Sequence, residues 1–260
     1  MSFAKPVAAD GECKQPSTEC VAVGGWNFSV ALGAGVRTNP LVNGQDLPLV
    51  VVPQVSYYGE RFFLDNFDLG YTVFDGDRST VSLVASPGYD RVYFYRSDLQ
   101  NIFVGGFGGN SGSETSSTPE HVPPRSRKVT YLAGPEWTFK YQGVTGQLDV
   151  LQEITGQRGQ EVRAAIGVPV AMRKGTLTGN VGFTWKSADV VNYFYGAPGI
   201  YDAGAAFDPF LKVGYTLPLS SKWRFNTFAQ YEHLSNAIAD SPIIAKRYVA
   251  TVFLGAIYAY

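Results

Sequence analysis

The chain has 260 residues, 17% of them charged, with a net charge of -1 and a pI near 6.1. It carries no basic patch or polybasic tail, which excludes a nucleic-acid footprint. Its hydrophobic fraction of 45% is ordinary, but 16 Tyr, 17 Phe, 4 Trp and 29 Gly are many, a composition of β structure with frequent turns. No window approaches the roughly 18 consecutive apolar residues of a membrane helix, while a mean hydropathy of -0.05 suits membrane strands that alternate.

The first stretch, residues 1–25, is small, polar and Pro-bearing without periodicity, and reads as a periplasmic N-terminal arm. MSFAKPVAAD lacks the basic start and apolar run of a signal peptide, so an exported protein is represented here by its mature form with an added or retained Met. Cys13 and Cys20 lie close together before the first strand with no nearby His. They suit a disulfide in an oxidising compartment better than a metal site, two free thiols being the alternative.

Alternation begins at Trp26. Trp26, Phe28, Val30, Leu32, Ala34 and Val36 share one face, and Asn27, Ser29, Ala31, Gly33, Gly35 and Arg37 share the other. An apolar face opposed to a small and polar one is the pattern of a barrel wall between lipid and lumen. Leu49 to Tyr58, Arg61 to Phe74 and the run from Thr80 to Tyr95 continue the series. So do Val129 to Tyr141, Val144 to Leu151, Val162 to Met172, Leu177 to Trp185, Leu211 to Leu217 and Trp223 to Leu234. The last strand, Arg247 to Tyr260, sets Tyr248, Val252, Leu254, Tyr258 and Tyr260 against Arg247, Thr251 and Gly255. Tyr258 and Tyr260 give it the aromatic end of a membrane-insertion signal, to be read by the barrel assembly machinery.

The connections sort into two kinds. Tyr141-Gln142-Gly143, Arg173-Lys174-Gly175 and Leu219 to Lys222 are tight turns, whereas 97–127, 188–206 and 235–246 are long, and the kinds alternate along the chain. Short periplasmic turns and long external loops are the habit of outer-membrane barrels, so both termini are expected in the periplasm. About eleven runs are visible, yet single-chain bacterial barrels have even numbers. Asp65-Asn66 can split the run from Arg61 to Phe74 into two, which makes twelve; ten is the alternative. The expectation is an all-β, transmembrane antiparallel barrel occupying 26–260. A soluble sandwich would have to bury inward faces too polar for a dry core.

With these segments in hand, the chain resembles the MipA/OmpV family of Gram-negative outer-membrane proteins, from GGWNFSVALGAGVR at Gly24 to Arg37 through to the C-terminus. The most specific features are YFYGAP at Tyr193 to Pro198 and WRFNTFAQYEHLSNAIADSPII at Trp223 to Ile244. In the latter, Asp240-Ser241-Pro242-Ile243 is placed one strand before an aromatic C-terminus. The resemblance implies a scaffold that brings a lytic transglycosylase together with a penicillin-binding protein in murein synthesis. Other members are tied to adhesion, antibiotic response or solute passage. No catalytic residues, cofactor or metal come with it, and lipid and lipopolysaccharide are the expected surroundings.

Three constellations remain to be weighed. Tyr231 to Ala237 is similar to the His-x-Ser-Asn-Ala stretch of lipid A deacylases, making His233 and Ser235 candidate base and nucleophile. No Glu follows Ser235 to orient the imidazole, and a rim His beside a loop is the plainer reading. His121 has neither Cys nor a second His nearby to form a metal site. Next, parity turns Arg37, Glu136, Lys140, Asp149, Glu153, Arg163, Lys186, Lys212, Arg224 and Glu232 inward. These charges either set the solute preference of a small channel or close the lumen with ion pairs across it. Last, GGFGGNSGSETSSTPEHVPPRSR, from Gly105 to Arg127, is too polar to fold alone and leaves a receptor or adhesion role open.

Overall fold

The computed structural model describes residues 24–88, 127–128, 130–156 and 158–260. Cys13, Cys20, His121, Val129, nearly all of the arm, the end of the run to Tyr95 and nearly all of the 97–127 loop lie outside them.

Alternation produces strands throughout. In chain order they are β1 (Trp26–Arg37), β2 (Leu47–Pro48), β3 (Val51–Tyr58), β4 (Phe62–Asp65), β5 (Asp68–Asp75), β6 (Ser79–Pro87), β7 (Tyr131–Tyr141) and β8 (Val144–Glu153). There follow β9 (Gln160–Met172), β10 (Gly175–Lys186), helix α1 (Ala188–Tyr195), β11 (Ala206–Pro218), β12 (Trp223–His233), helix α2 (Asn236–Ala239) and β13 (Tyr248–Ala259). Each strand pairs antiparallel with its sequence neighbour, and β13 closes the sheet on β1, with Gly33 opposite Gly255. Both β2 and β3 pair with β1, so they are two pieces of one wall strand interrupted at Leu49-Val50. The wall therefore has twelve strands.

The twelfth comes from the split at Asp65-Asn66. Asp65 pairs with Asp68 across a two-residue turn in which Asn66 takes φ 57°, a left-handed conformation that Asn tolerates better than most residues. β4 is only four residues long and covers β3 only from Ser56 to Tyr58. Asn66 N–H donates to Val55 O at 2.7 Å, so the backbone groups of Val55, and by alternation those of Pro53, point toward this side. Pro53 has no N–H to leave unpaired where β4 stops short, which is how proline is tolerated at a strand edge.

The outward faces are apolar around the whole circumference. Trp26, Phe74, Leu83, Trp137, Val150, Ile166, Val181, Leu211, Tyr231 and Leu254, on ten different strands, are all exposed. So extensive an apolar belt costs too much in water and suits lipid. Aromatic pairs mark its two borders. At one end stand Trp26–Tyr57, Trp137–Phe139 and Trp223–Tyr258, and at the other Phe183–Phe207 and Tyr231–Tyr248. Ten residues separate Tyr248 from Tyr258 along β13, and a tilted strand of that length rises about 25 Å, the height of the apolar band of such barrels. No described helix is long and apolar enough to cross a membrane.

Candidate functional site: the lumen and its lid

Strand register builds a polar row around the lumen. Ser82 pairs with Glu136, Glu136 with Asp149, Asp149 with Arg163, Arg163 with Thr184, and Thr184 with Asp208. Because directly opposed residues share a face, these side chains form one level of the wall. Gln147 Nε2 ties two of the carboxylates together, donating to Glu136 Oε2 and to Asp149 Oδ1 and Oδ2, each at 3.0 Å. Arg163 lies 2.5 Å from Glu161 and donates to Ser86 Oγ at 2.9 Å.

Among the described residues, the ion pairs of the wall run along it and not across the opening. Arg163 pairs with a residue of its own strand, Lys186 with Asp208 of the next strand at 3.7 Å, and Arg37 with Glu232 at 4.0 Å over the intervening β13. Glu153 serves the rim, accepting the N–H groups of Thr155 and Gly156. Lys212 stands 4.6 Å above the Phe228 ring, a cation-π contact. Lys140 is exposed at the end where β1 begins and β13 ends, and Arg224 is half-buried on the lumen face at the same end.

Sequence patterning had suggested inward faces of small and polar residues with scattered charges. The lumen also holds large apolar side chains. Tyr58, Phe63, Val84, Leu132 and Leu151 form one buried cluster, and Ala31, Leu49, Phe253 and Ile257 form another with Phe228 packed against it. Gly33 and Gly255 make room for the second: a Cβ on either would run into the facing backbone and the Phe253 ring. The barrel is thus partly filled from within.

One mouth is covered. The connections 188–206 and 235–246, expected to be plain loops, carry α1 and α2 and fold inward. Val191, Phe194, Tyr195, Ile238 and Ile243 are at most 2% exposed, in a cluster with Leu41, Leu47, Ala206, Leu234 and Val249. Leu47, Ala206 and Val249 face the lumen at the rim, so the cluster closes over the opening. Arg127 Nε donates to Phe194 O at 2.7 Å, and Lys128 N–H to Tyr193 Oη at 2.6 Å, fastening α1 to the rim beside β7. Ser241 Oγ donates to Tyr195 O at 2.6 Å. Between the neighbouring connections after β1 and before β13, Leu41 bridges Ile244 and Ala245 N–H donates to Pro40 O.

Charged straps complete the lid. Lys246 reaches Asp46 at 2.9 Å, and Arg247 reaches Asp240 at 2.8 Å and also Asn236. Burial alone would raise the Asp46 carboxyl, but hydrogen bonds from Lys246 and the Asn39 N–H, with the Lys246 charge, hold it below its ordinary 3.8. The Tyr201 hydroxyl, which donates to Ala237 O at 3.1 Å, is raised by burial and by the charge of Asp240.

His233 is exposed on the lipid-facing side of β12, opposite Tyr248. Ser235 is the residue before α2; its N–H donates to Asp208 Oδ1 at 2.9 Å, and its Oγ has no hydrogen-bond partner among the described residues. No His–Ser pair is assembled. Among the described residues no group of acids, His and Cys is placed to hold a metal ion. The lid was the feature that patterning missed. Its signals were short: Ser187 before Ala188, an acidic Asp189 in the first turn, and paired apolar residues Val190-Val191 and Phe194-Tyr195 one helical turn apart.

The sequence model of the family described as "MltA-interacting protein MipA" matches residues 32–260. The MltA-interacting proteins of Escherichia coli (strain K12) and Shigella flexneri are each 23% identical over 249 residues, covering 90% of both chains. Among solved structures, a loop-deletion form of OmpT from Vibrio cholerae aligns with TM-score 0.37 and 9% identity, over 92% of this chain and 100% of that one. An anion-selective porin from Comamonas acidovorans aligns with TM-score 0.35 and 10% identity, over 91% and 99%. The chain belongs to the MltA-interacting protein MipA family, built as a twelve-stranded outer-membrane barrel.

Proposed function

We propose that this protein is a scaffold of the cell envelope, linking murein-hydrolysing and murein-synthesising enzymes at the inner face of the outer membrane. The observation that carries it is the closed mouth: a lid with its own apolar core and lumen clusters of Tyr58, Phe63 and Phe253 suit a stable platform better than a conduit. The relatives are named MltA-interacting protein, and the family resemblance implies a lytic transglycosylase as partner, with a penicillin-binding protein as the second enzyme. In this reading the end with tight turns and both termini faces the periplasm, and the lid faces lipopolysaccharide outside. In this reading the role is non-enzymatic, and the barrel contributes surfaces instead of catalytic groups.

The test is a cross-linked pull-down from intact native cells through a tag placed before Trp26, with mass spectrometry of the retained proteins. Enrichment of a lytic transglycosylase or penicillin-binding protein over an unrelated barrel is the expected result. Retention of lipoprotein and abundant porins alone overturns the scaffold. A small-solute channel is the second reading, favoured by the charged row at Glu136, Asp149 and Arg163. Single-channel recording decides it.

A further inference from the structure

Charge is distributed unequally between the two ends of the barrel. The turns at the end where β1 begins and β13 ends contain Arg61, Arg78, Arg173, Lys174 and Lys222, against Glu60 and Asp77. At the strand ends beside them, Lys140 of β7 adds a sixth cation and Asp75 of β5 a third acid. All six are exposed, and no ion pair among the described residues involves any of them. At the lidded end, by contrast, Lys246 and Arg247 are matched with Asp46 and Asp240.

Fold stability does not account for the difference. The turns on which these cations sit need only tight geometry. Gln142 and Gly143 supply it at φ 48° and 81°, and Arg173-Lys174 joins Met172 to Gly175 in two residues. Unmatched like charges around one rim repel each other, so the ring is maintained against a small internal cost. Such a ring steers an oppositely charged body and orients it end-on. Exposed Tyr141 and Leu219 lie among the cations, and Arg with aromatic and apolar neighbours is the composition of a protein contact.

We propose that this basic ring is the docking surface of the scaffold, and that its partner presents an acidic protein face. The inference rests on the scaffold reading and specifies which surface of the barrel does the binding. Free cations at a rim act mainly on the association rate and its salt dependence.

The experiment uses the full chain in nanodiscs and the purified MltA-type transglycosylase of the same cell as the probe. Binding is measured at about 0.05 M and about 0.5 M salt, conditions between which the Debye length shrinks severalfold. R173E/K174E/K222E is compared with K128E/R158E, a reversal of two exposed cations at the lidded end. A heat-modifiable gel shift establishes that both variants are folded barrels. The expected result is tight, salt-sensitive binding that weakens by about tenfold or more in the turn variant and is retained in the lidded-end variant.

Binding that survives R173E/K174E/K222E overturns the ring as docking surface and leaves the scaffold standing. No binding by the wild type overturns both. Isolated murein sacculi and vesicles containing anionic phospholipid are run in parallel. If the turn variant loses these and keeps the transglycosylase, the ring reads murein or lipid charge and the acidic protein partner is discarded.

Discussion

Asp208 shows how much one side chain can organise. It is fully buried, takes the Ser235 N–H at 2.9 Å and stands 3.7 Å from Lys186, so it joins β10, β11 and the start of α2. Asp208→Ala strands a buried ammonium and an amide, and is expected to cost about 3–5 kcal/mol. Asp208→Asn keeps an acceptor for Ser235 and should cost less. Urea unfolding of the barrel, followed by the loss of its gel shift, ranks the two; equal effects would show that the acceptor for Ser235 contributes nothing and that the lost charge accounts for the whole cost. Asp46 offers a pH test at the same scale. Its carboxyl is held below 3.8, so its contribution is present above that pH and fades as the pH falls through the lower folded value. Protease cleavage within 38–46 should stay slow at neutral pH and rise in acid, whereas Asp46→Asn should be cut at a rate independent of this transition.

At the scale of elements, the lid is an independent packing unit placed on a wall that folds by alternation. Burying a Phe or Ile side chain contributes about 1.5–3 kcal/mol, and three such residues, Phe194, Ile238 and Ile243, are almost inaccessible in the lid. Phe194→Ala removes the ring that sits between Tyr193 and Tyr195, whose centroids lie 4.9 and 6.4 Å from it. The cavity should cost about 3–5 kcal/mol locally and loosen α1 while leaving the wall intact. In planar bilayers the wild type is expected to stay closed, and Phe194→Ala to show steps of conductance. A freely conducting wild type would refute the view of the lid as a seal. The short β4 and the break between β2 and β3 belong to this scale too, since both re-aim the wall where regular pairing is interrupted.

Over the whole molecule, polarity is divided by end and by face. Lipid-facing side chains are apolar, the lumen mixes charge with buried aromatics, one mouth is capped, and the opposite rim is basic. Within it, the Ser235 hydroxyl has no hydrogen bond to His233. His233→Ala and Ser235→Ala should therefore leave the acylation of lipid A unchanged in mass spectra of whole cells. Loss of deacylated species in either variant would restore an enzymatic role.

Sequence alone determined the barrel, because a wall between lipid and lumen imposes a two-residue period that each strand must obey locally. Trp26 to Arg37 and Tyr248 to Tyr260 display that period without help from the rest of the chain. The twelfth strand was legible as well, since an Asp-Asn step inside a long apolar run signals a turn. The inward parity of Glu136, Asp149 and Arg163 followed from the same count. Which of them meet did not, because register depends on where each hairpin turns and on bulges such as the one between Thr72 and Phe74. Only the tertiary structure decided that the ion pairs run along the wall, that Tyr58, Phe63 and Phe253 fill the lumen, and that 188–206 and 235–246 fold into a lid. Helices of eight and four residues are marginal on their own. They exist here because the rim of the barrel buries one face of each, and no local pattern records a surface that assembles only when the wall closes.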